Sequence, residues 1–153
     1  VSDKGKYPIL DDMSPCFYHS KEELTSALKI VDPIAFMLDF VLPKLTVKKK
    51  KEAVAIFPVC SVKKIGKMDQ LLALAQQCAE QVTMIDSNCC GFAGDRGFLI
   101  PELNEHGLRD IKNQIPSNCT SGYSTSRTCE IGLEKSSGIS FTSIFYLIEE
   151  VTR

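Results

Sequence analysis

Ala53-Val54-Ala55-Ile56-Phe57-Pro58-Val59-Cys60 is the stretch that decides the fold. Its first five residues are apolar without a break, bounded by Lys51-Glu52 on one side and Pro58 on the other. A run this short, with no polar face, reads as a strand buried on both sides, the kind found in parallel sheets covered by helices. Working outward, residues 66–80 follow as a helix, with Met68, Leu71, Leu72, Ala75 and Cys78 at helical spacing on one face. Val82-Thr83-Met84-Ile85 is a second strand. Pro101 and Glu102 suit the first turn of a helix over 101–113. A weaker strand signal lies at 119–123. A helix over 126–135 stops near Gly138, and a last helix over 142–152 places Ile144, Phe145, Leu147, Ile148 and Val151 on its buried face. Strand, helix, strand, helix, strand, helix predicts an α/β fold: a small parallel sheet flanked by helices, with right-handed crossovers.

Ligands of such sheets gather outside the carboxyl ends of the strands. Cys60, the adjacent pair Cys89-Cys90, and Cys129 each come shortly after an expected strand. Topology alone therefore brings these four thiols to one edge. Four thiols are enough for a [4Fe–4S] cluster or for tetrahedral zinc. Small buried thiols at a tight turn, or a disulfide between Cys89 and Cys90, are the plainer alternatives. Adjacent cysteines on an extended chain tend to point opposite ways, and a turn at Gly91 would be needed to bring both to one metal. Gly91, Gly94 and Gly97 would allow close backbone approach or positive φ, and backbone N–H groups there could donate to sulfur. Asp95 and Arg96 would pair with each other or with a neighbouring domain. Arg127, two residues before Cys129, would offset thiolate charge. Cys78 reads as core, Cys119 as core or surface; His19 and His106 form no ligand motif.

The 153 residues, 44% hydrophobic and 24% charged, describe one ordinary globular core with room for an appendage. A net charge of −1 gives no broad attraction to nucleic acid. The run Lys48-Lys49-Lys50-Lys51 reads as a solvated loop. No apolar stretch reaches the ~20 residues of a membrane span, and the polar start shows no signal peptide. Seven cysteines without a secretory signal point to a reducing compartment, and there to metal or redox work rather than a disulfide framework.

The first part of the chain looks different. Ser14-Pro15-Cys16 is followed by Phe17-Tyr18, a polar stretch, and an apolar helix over 32–42 that stops near Pro43. Phe36 stands 20 residues after Cys16, and Phe145 stands 16 after Cys129. This is a weak internal repeat. The first copy is expected to lack its own strands and its own double cysteine. Residues 1–46 then read as the tail of a first, truncated module, and 47–153 as a complete second one.

Cys60-Ser61-Val62-Lys63-Lys64-Ile65-Gly66, Cys89-Cys90-Gly91-Phe92-Ala93-Gly94 and the final Cys129 resemble the cysteine-rich CCG domain. That domain occurs in the B subunit of heterodisulfide reductase and in the iron–sulfur subunit of glycolate oxidase. More narrowly, Gly91 to Phe98 together with Gly122 to Leu133 resemble the C-terminal end of fused flavin and iron–sulfur D-lactate or D-2-hydroxyglutarate dehydrogenases. The resemblance covers essentially the whole chain and implies the following. Cys60, Cys89, Cys90 and Cys129 would be metal ligands, with Gly91, Gly94, Asp95, Arg96, Gly97, Ser126 and Arg127 forming the loops around the cluster. FAD and a ferredoxin-like segment would lie elsewhere on the same parent chain. Electrons would pass from the flavin through a [4Fe–4S] cluster toward a quinone or other carrier. This piece would bind no flavin and would be inactive alone. The location would be cytoplasmic or peripheral at the inner face of the membrane, with no nucleic-acid partner. One departure stands out: many CCG modules end in C-x-x-C, and here Ser126 holds the first of those positions. The alternative function is a docking domain with an empty or zinc-filled thiol site, or a thiol–disulfide module.

Overall fold

The computed structural model describes residues 2–11, 14–23 and 28–153. Its centre is a four-stranded, fully parallel sheet made of β3 (Lys51–Ile56), β4 (Ala79–Met84), β5 (Ser121–Ser124) and β6 (Ser140–Ser143), in the order β4-β3-β5-β6. Val54, Ala55 and Ile56 pair with Val82, Thr83 and Met84 on one side, while Ala55 and Ile56 pair with Gly122 and Tyr123 on the other. β3 is therefore central, and Ala53, Val54, Ala55 and Ile56 are all buried, as an unbroken apolar run in a parallel sheet should be. Three helices lie against the sheet: α4 (Met68–Cys78), α8 (Arg127–Ser137) and α9 (Ile144–Thr152). α4 also packs against α9, while α6 (Pro101–Leu108) and α7 (Ile111–Gln114) pack against α8.

The expected parallel α/β architecture is present, with five local differences. The chain enters a strand, β6, before the last helix, which begins at Ile144 with Ser143 as its cap. Ser140-Phe141-Thr142-Ser143 has one large apolar side chain, so an edge strand there leaves little hydrophobic signal. The helix over 101–113 is broken at Arg109-Asp110, and Leu108 and Ile111 on either side of the break are both buried. A short helix, α3 (Cys60–Lys64), starts at Cys60 itself, ahead of α4. On α4, Leu74 rather than Leu72 joins Leu71, Ala75 and Cys78 in the core. The lysine run is also not all loop: Lys51 opens β3 and reaches Glu150 at 2.6 Å.

The first part of the chain does carry strands, against expectation. β1 (Ile9–Leu10) and β2 (Ile30–Val31) form a separate parallel pair, with Ile9 opposite Ile30 and Leu10 opposite Val31. Two-residue strands are below what periodicity can register. Between them lies α1 (Ser14–Glu23), and after them α2 (Pro33–Phe36), which runs on through a wider turn at Met37–Val41 and a tight one at Leu42–Lys44. Asp32 caps α2 by accepting the Ala35 N–H at 2.9 Å, with Pro33 in the first helical position. The expected polar stretch lies partly over 24–27, outside the described residues. The order β1-α1-β2-α2 matches β5-α8-β6-α9 element for element. Cys16 and Cys129 are each the third residue of the helix between two parallel strands. α1 packs on α3, where the Lys64 ammonium sits 5.3 Å from the Tyr18 ring.

In the order β4-β3-β5-β6, the chain leaves β3 toward one side for β4, then returns past it for β5. The switch point of this open sheet is thus between β3 and β5, the place where such sheets open a crevice at the carboxyl ends of their strands.

Candidate metal or redox site

The chain delivers a thiol to this edge from each of three strands. Cys60 follows β3 after three intervening residues, Phe57, Pro58 and Val59. Cys89 and Cys90 follow β4, and Cys129 lies in the first turn of α8, after β5. Cys60 and Cys89 are exposed; Cys90 and Cys129 are buried, and none is in a disulfide. Within the adjacent pair, Cys89 is exposed and Cys90 is buried.

The inner pair is in direct contact: Cys90 Sγ lies 2.7 Å from Cys129 Sγ. Either sulfur can be the donor; with the proton on Cys129, the contact pulls the Cys90 thiol down to about 7 in spite of its burial. The same bond, followed by burial and the nearby charges of Cys90 and Cys60, pushes the Cys129 thiol far above its usual range. Burial raises Cys89 first of all; Cys90 and Cys60 add to the rise, while the Gly91 N–H, donating to Cys89 Sγ at 3.3 Å, opposes it. Cys90 and Cys129 are thus in contact, and Cys60 lies close enough to act electrostatically on both Cys89 and Cys129. As the side chains stand, no group of three or more His, Cys, Asp and Glu among the described residues converges to hold a metal ion.

The loop between β4 and α5 (Arg96–Leu99) is fixed by close packing against the helices. Gly91 has φ +77°, and a Cβ on it would strike the Leu103 carbonyl of α6, so only glycine fits. A Cβ on Gly97 would lie 2.8 Å from the Phe92 ring, and one on Gly107 would lie 2.7 Å from the Cys89 carbonyl. Asn104, buried on α6, donates its amide N–H to the Cys90 carbonyl at 2.6 Å. It also sits over Gly132 of α8, where any side chain would collide with the Asn104 amide and with Phe92. Cys90 is therefore clamped to the helix that carries Cys129. On the other flank, Lys63 of α3 donates to the Ser87 carbonyl at 2.5 Å, and the Ser87 hydroxyl donates to the Cys89 and Gly107 carbonyls at 3.3 and 3.1 Å.

Asn104, Lys63, Ser87, Gly107 and Gly132 were not legible as site residues. A buried asparagine and two glycines inside helices were the only signals, and each has bland explanations.

Ser126 occupies the capping position of α8, but its side chain caps no backbone N–H. It is buried, lies 3.4 Å from the Thr128 hydroxyl, and is close enough to Cys129 to lower that thiol. Arg127 pairs with buried Glu130 at 3.1 Å, so its charge is committed there. Asp95 and Arg96 are exposed and form no ion pair with each other among the described residues. Gly94, at φ +80°, turns the same loop. Cys78 and Cys119 are core, the latter donating to the Ser121 carbonyl at 3.3 Å. Cys16 and His19 are exposed; so is His106, which contacts Arg109 and lines a cavity of about 420 Å³ beside Cys89.

The donor set suits a soft metal or cluster: four thiols, one of them already accepting a backbone N–H. Ser61, next to Cys60, and Ser124, at the end of β5, have buried hydroxyls with no hydrogen-bond partner. These supply two spare donors at the carboxyl ends of β3 and β5, where a group rich in sulfur would need them. No helix among the described residues is long and apolar enough to cross a membrane. No family model matches the sequence, and no curated protein or solved structure matches the chain.

Proposed function

We propose that Cys60, Cys89, Cys90 and Cys129 hold an iron–sulfur cluster, and that the chain is the electron-transfer module of a flavin-linked D-2-hydroxyacid dehydrogenase. The observation that supports the metal centre is the order of elements, which brings four cysteines, after three strand ends, to the carboxyl edge of the sheet around its switch point. Cys90 and Cys129 are held by packing, whereas Cys60 and Cys89 are exposed. When bound, the cluster would take up and release one electron at a time. Cys90 would lose its proton most readily. The Gly91 N–H, the Ser126 hydroxyl and the two unpartnered serine hydroxyls would stabilise sulfur charge. The wider role, with FAD elsewhere on the parent chain and a quinone or other carrier as acceptor, rests on the sequence resemblance to D-lactate and D-2-hydroxyglutarate dehydrogenases. The repeated strand–helix–strand–helix order supports reading residues 1–46 as part of a first module and 47–153 as a second.

A docking domain with zinc at the thiols is the second reading. It is favoured by one observation: Phe98, Leu99, Ile100 and Leu103 form an exposed apolar strip just beyond the cysteine loop, with Leu99 77% exposed. Anaerobic reconstitution with iron and sulfide, reduction with dithionite and low-temperature EPR separate the two. A reduced-state signal that a soluble quinone abolishes supports electron transfer. A colourless protein holding stoichiometric zinc and refusing iron supports docking and overturns the cluster.

A further inference from the structure

We propose that Cys90 and Cys129 form a peroxide-sensitive oxidation site, in which the metal-free protein closes a disulfide between these two thiols and not between the adjacent Cys89 and Cys90. Their sulfurs are 2.7 Å apart, although the residues are 39 positions apart in sequence. A covalent S–S bond needs about 2.05 Å, so the remaining approach is small. Close packing sets this distance: the Asn104 amide holds the Cys90 carbonyl, and Gly132 lets Asn104 rest directly on α8. Cys89 is less well placed for the same chemistry with Cys90. Its thiol is exposed while that of Cys90 is buried, and its sulfur accepts the Gly91 N–H.

The chemistry balances with hydrogen peroxide as the oxidant. The Cys90 thiol attacks the O–O bond, giving Cys90 sulfenic acid and one water. The Cys129 thiol then attacks the sulfenic sulfur, forming the S–S bond and releasing a second water. Two electrons pass from the two thiols to the peroxide. Peroxide is close to water in size and can enter a site that leaves these sulfurs almost covered; a bulky disulfide reagent cannot. On the four-thiol reading above, this bond removes two ligands at once. Oxidised and metal-loaded states would then exclude each other, and a thiol reductant would restore competence.

The test uses the full chain, reduced and stripped of metal, exposed to peroxide, alkylated, digested and fragmented by mass spectrometry. The expected result is a Cys90–Cys129 cross-link, a fall of two in free thiols, and recovery with dithiothreitol. Cys89→Ser should keep the cross-link and Cys129→Ser should lose it. A Cys89–Cys90 or Cys60–Cys89 link overturns the proposal, as does Cys90 sulfinic acid with no cross-link, or no loss of thiols. Iron uptake by the oxidised protein is read separately. If the cross-link forms but uptake equals that of reduced protein, the four-thiol metal site fails while the disulfide stands. If no cross-link forms, the metal site is untouched.

Discussion

Replacing Asn104 with alanine should loosen the site without touching a thiol. In the folded chain the Asn104 amide is buried and donates to the Cys90 carbonyl at 2.6 Å. Truncation leaves that carbonyl buried and unpaired. Orphaning a buried acceptor costs about 1–3 kcal/mol, so the ratio of folded to unfolded protein should fall about 5- to 150-fold. Part of the packing of Asn104 over Gly132 is lost as well, which places the expected value in the upper half of that range. Asn104→Asp should be worse than alanine, since it exchanges the donor for a buried carboxylate facing a carbonyl oxygen. Asn118→Ala is the control: its amide bonds to Gln81 at 3.2 Å on the exposed surface, and it should cost no more than about 0.5 kcal/mol. Urea unfolding of the metal-free protein measures all three. If Asn104→Ala is as mild as Asn118→Ala, the clamp between the cysteine loop and α8 is not what holds Cys90 in place.

Cys60→Ser, Cys89→Ser, Cys90→Ser and Cys129→Ser should each cut iron retained after anaerobic reconstitution. Cys78→Ser should retain iron and instead lose roughly 1–3 kcal/mol by burying an unpaired hydroxyl; equal iron loss at Cys78 and Cys90 would refute this sorting. Ser126→Cys places a thiol beside Cys129 where the serine makes no cap bond. It should bind iron at least as well as wild type, and a drop of about 1 kcal/mol with unchanged iron would return Ser126 to a capping role. Glu130 has its carboxyl raised above the ordinary 4.5, by burial first, with Arg127 opposing. Because the folded value is the raised one, the folded state holds the proton more tightly than the unfolded chain. Wild type should therefore lose stability relative to Glu130→Gln as pH rises from 4 through the raised value. Urea midpoints across pH 4–7 check this, and a gap independent of pH would contradict it.

The parts of the fold that could be read from sequence are those with an unambiguous hydrophobic pattern. Ala53 to Phe57 is buried on both sides and says so; Ile144, Leu147, Ile148 and Val151 mark one face of α9. Gly138 ends α8 in the left-handed conformation, at φ +80°, as a glycine after a helix should. β1, β2 and β6 were lost because very short strands, or one whose sole large apolar residue is Phe141, carry too few residues to show a period of two. Placing four cysteines at one edge needed only the order of elements. The contact between Cys90 and Cys129, the clamp through Asn104 and the pairing of Arg127 with Glu130 depend on how helices pack across the sheet. No local pattern encodes that.

The most direct test of the central claim is thiol footprinting of the metal-loaded protein. Brief alkylation followed by mass spectrometry reports each of the seven cysteines separately. A single four-thiol centre predicts that loading protects Cys60 and Cys89, which are exposed in the free chain, together with Cys90 and Cys129. Exposed Cys16 should react equally with and without metal. Protein that retains metal while Cys60 and Cys89 react as fast as Cys16 would contradict the claim.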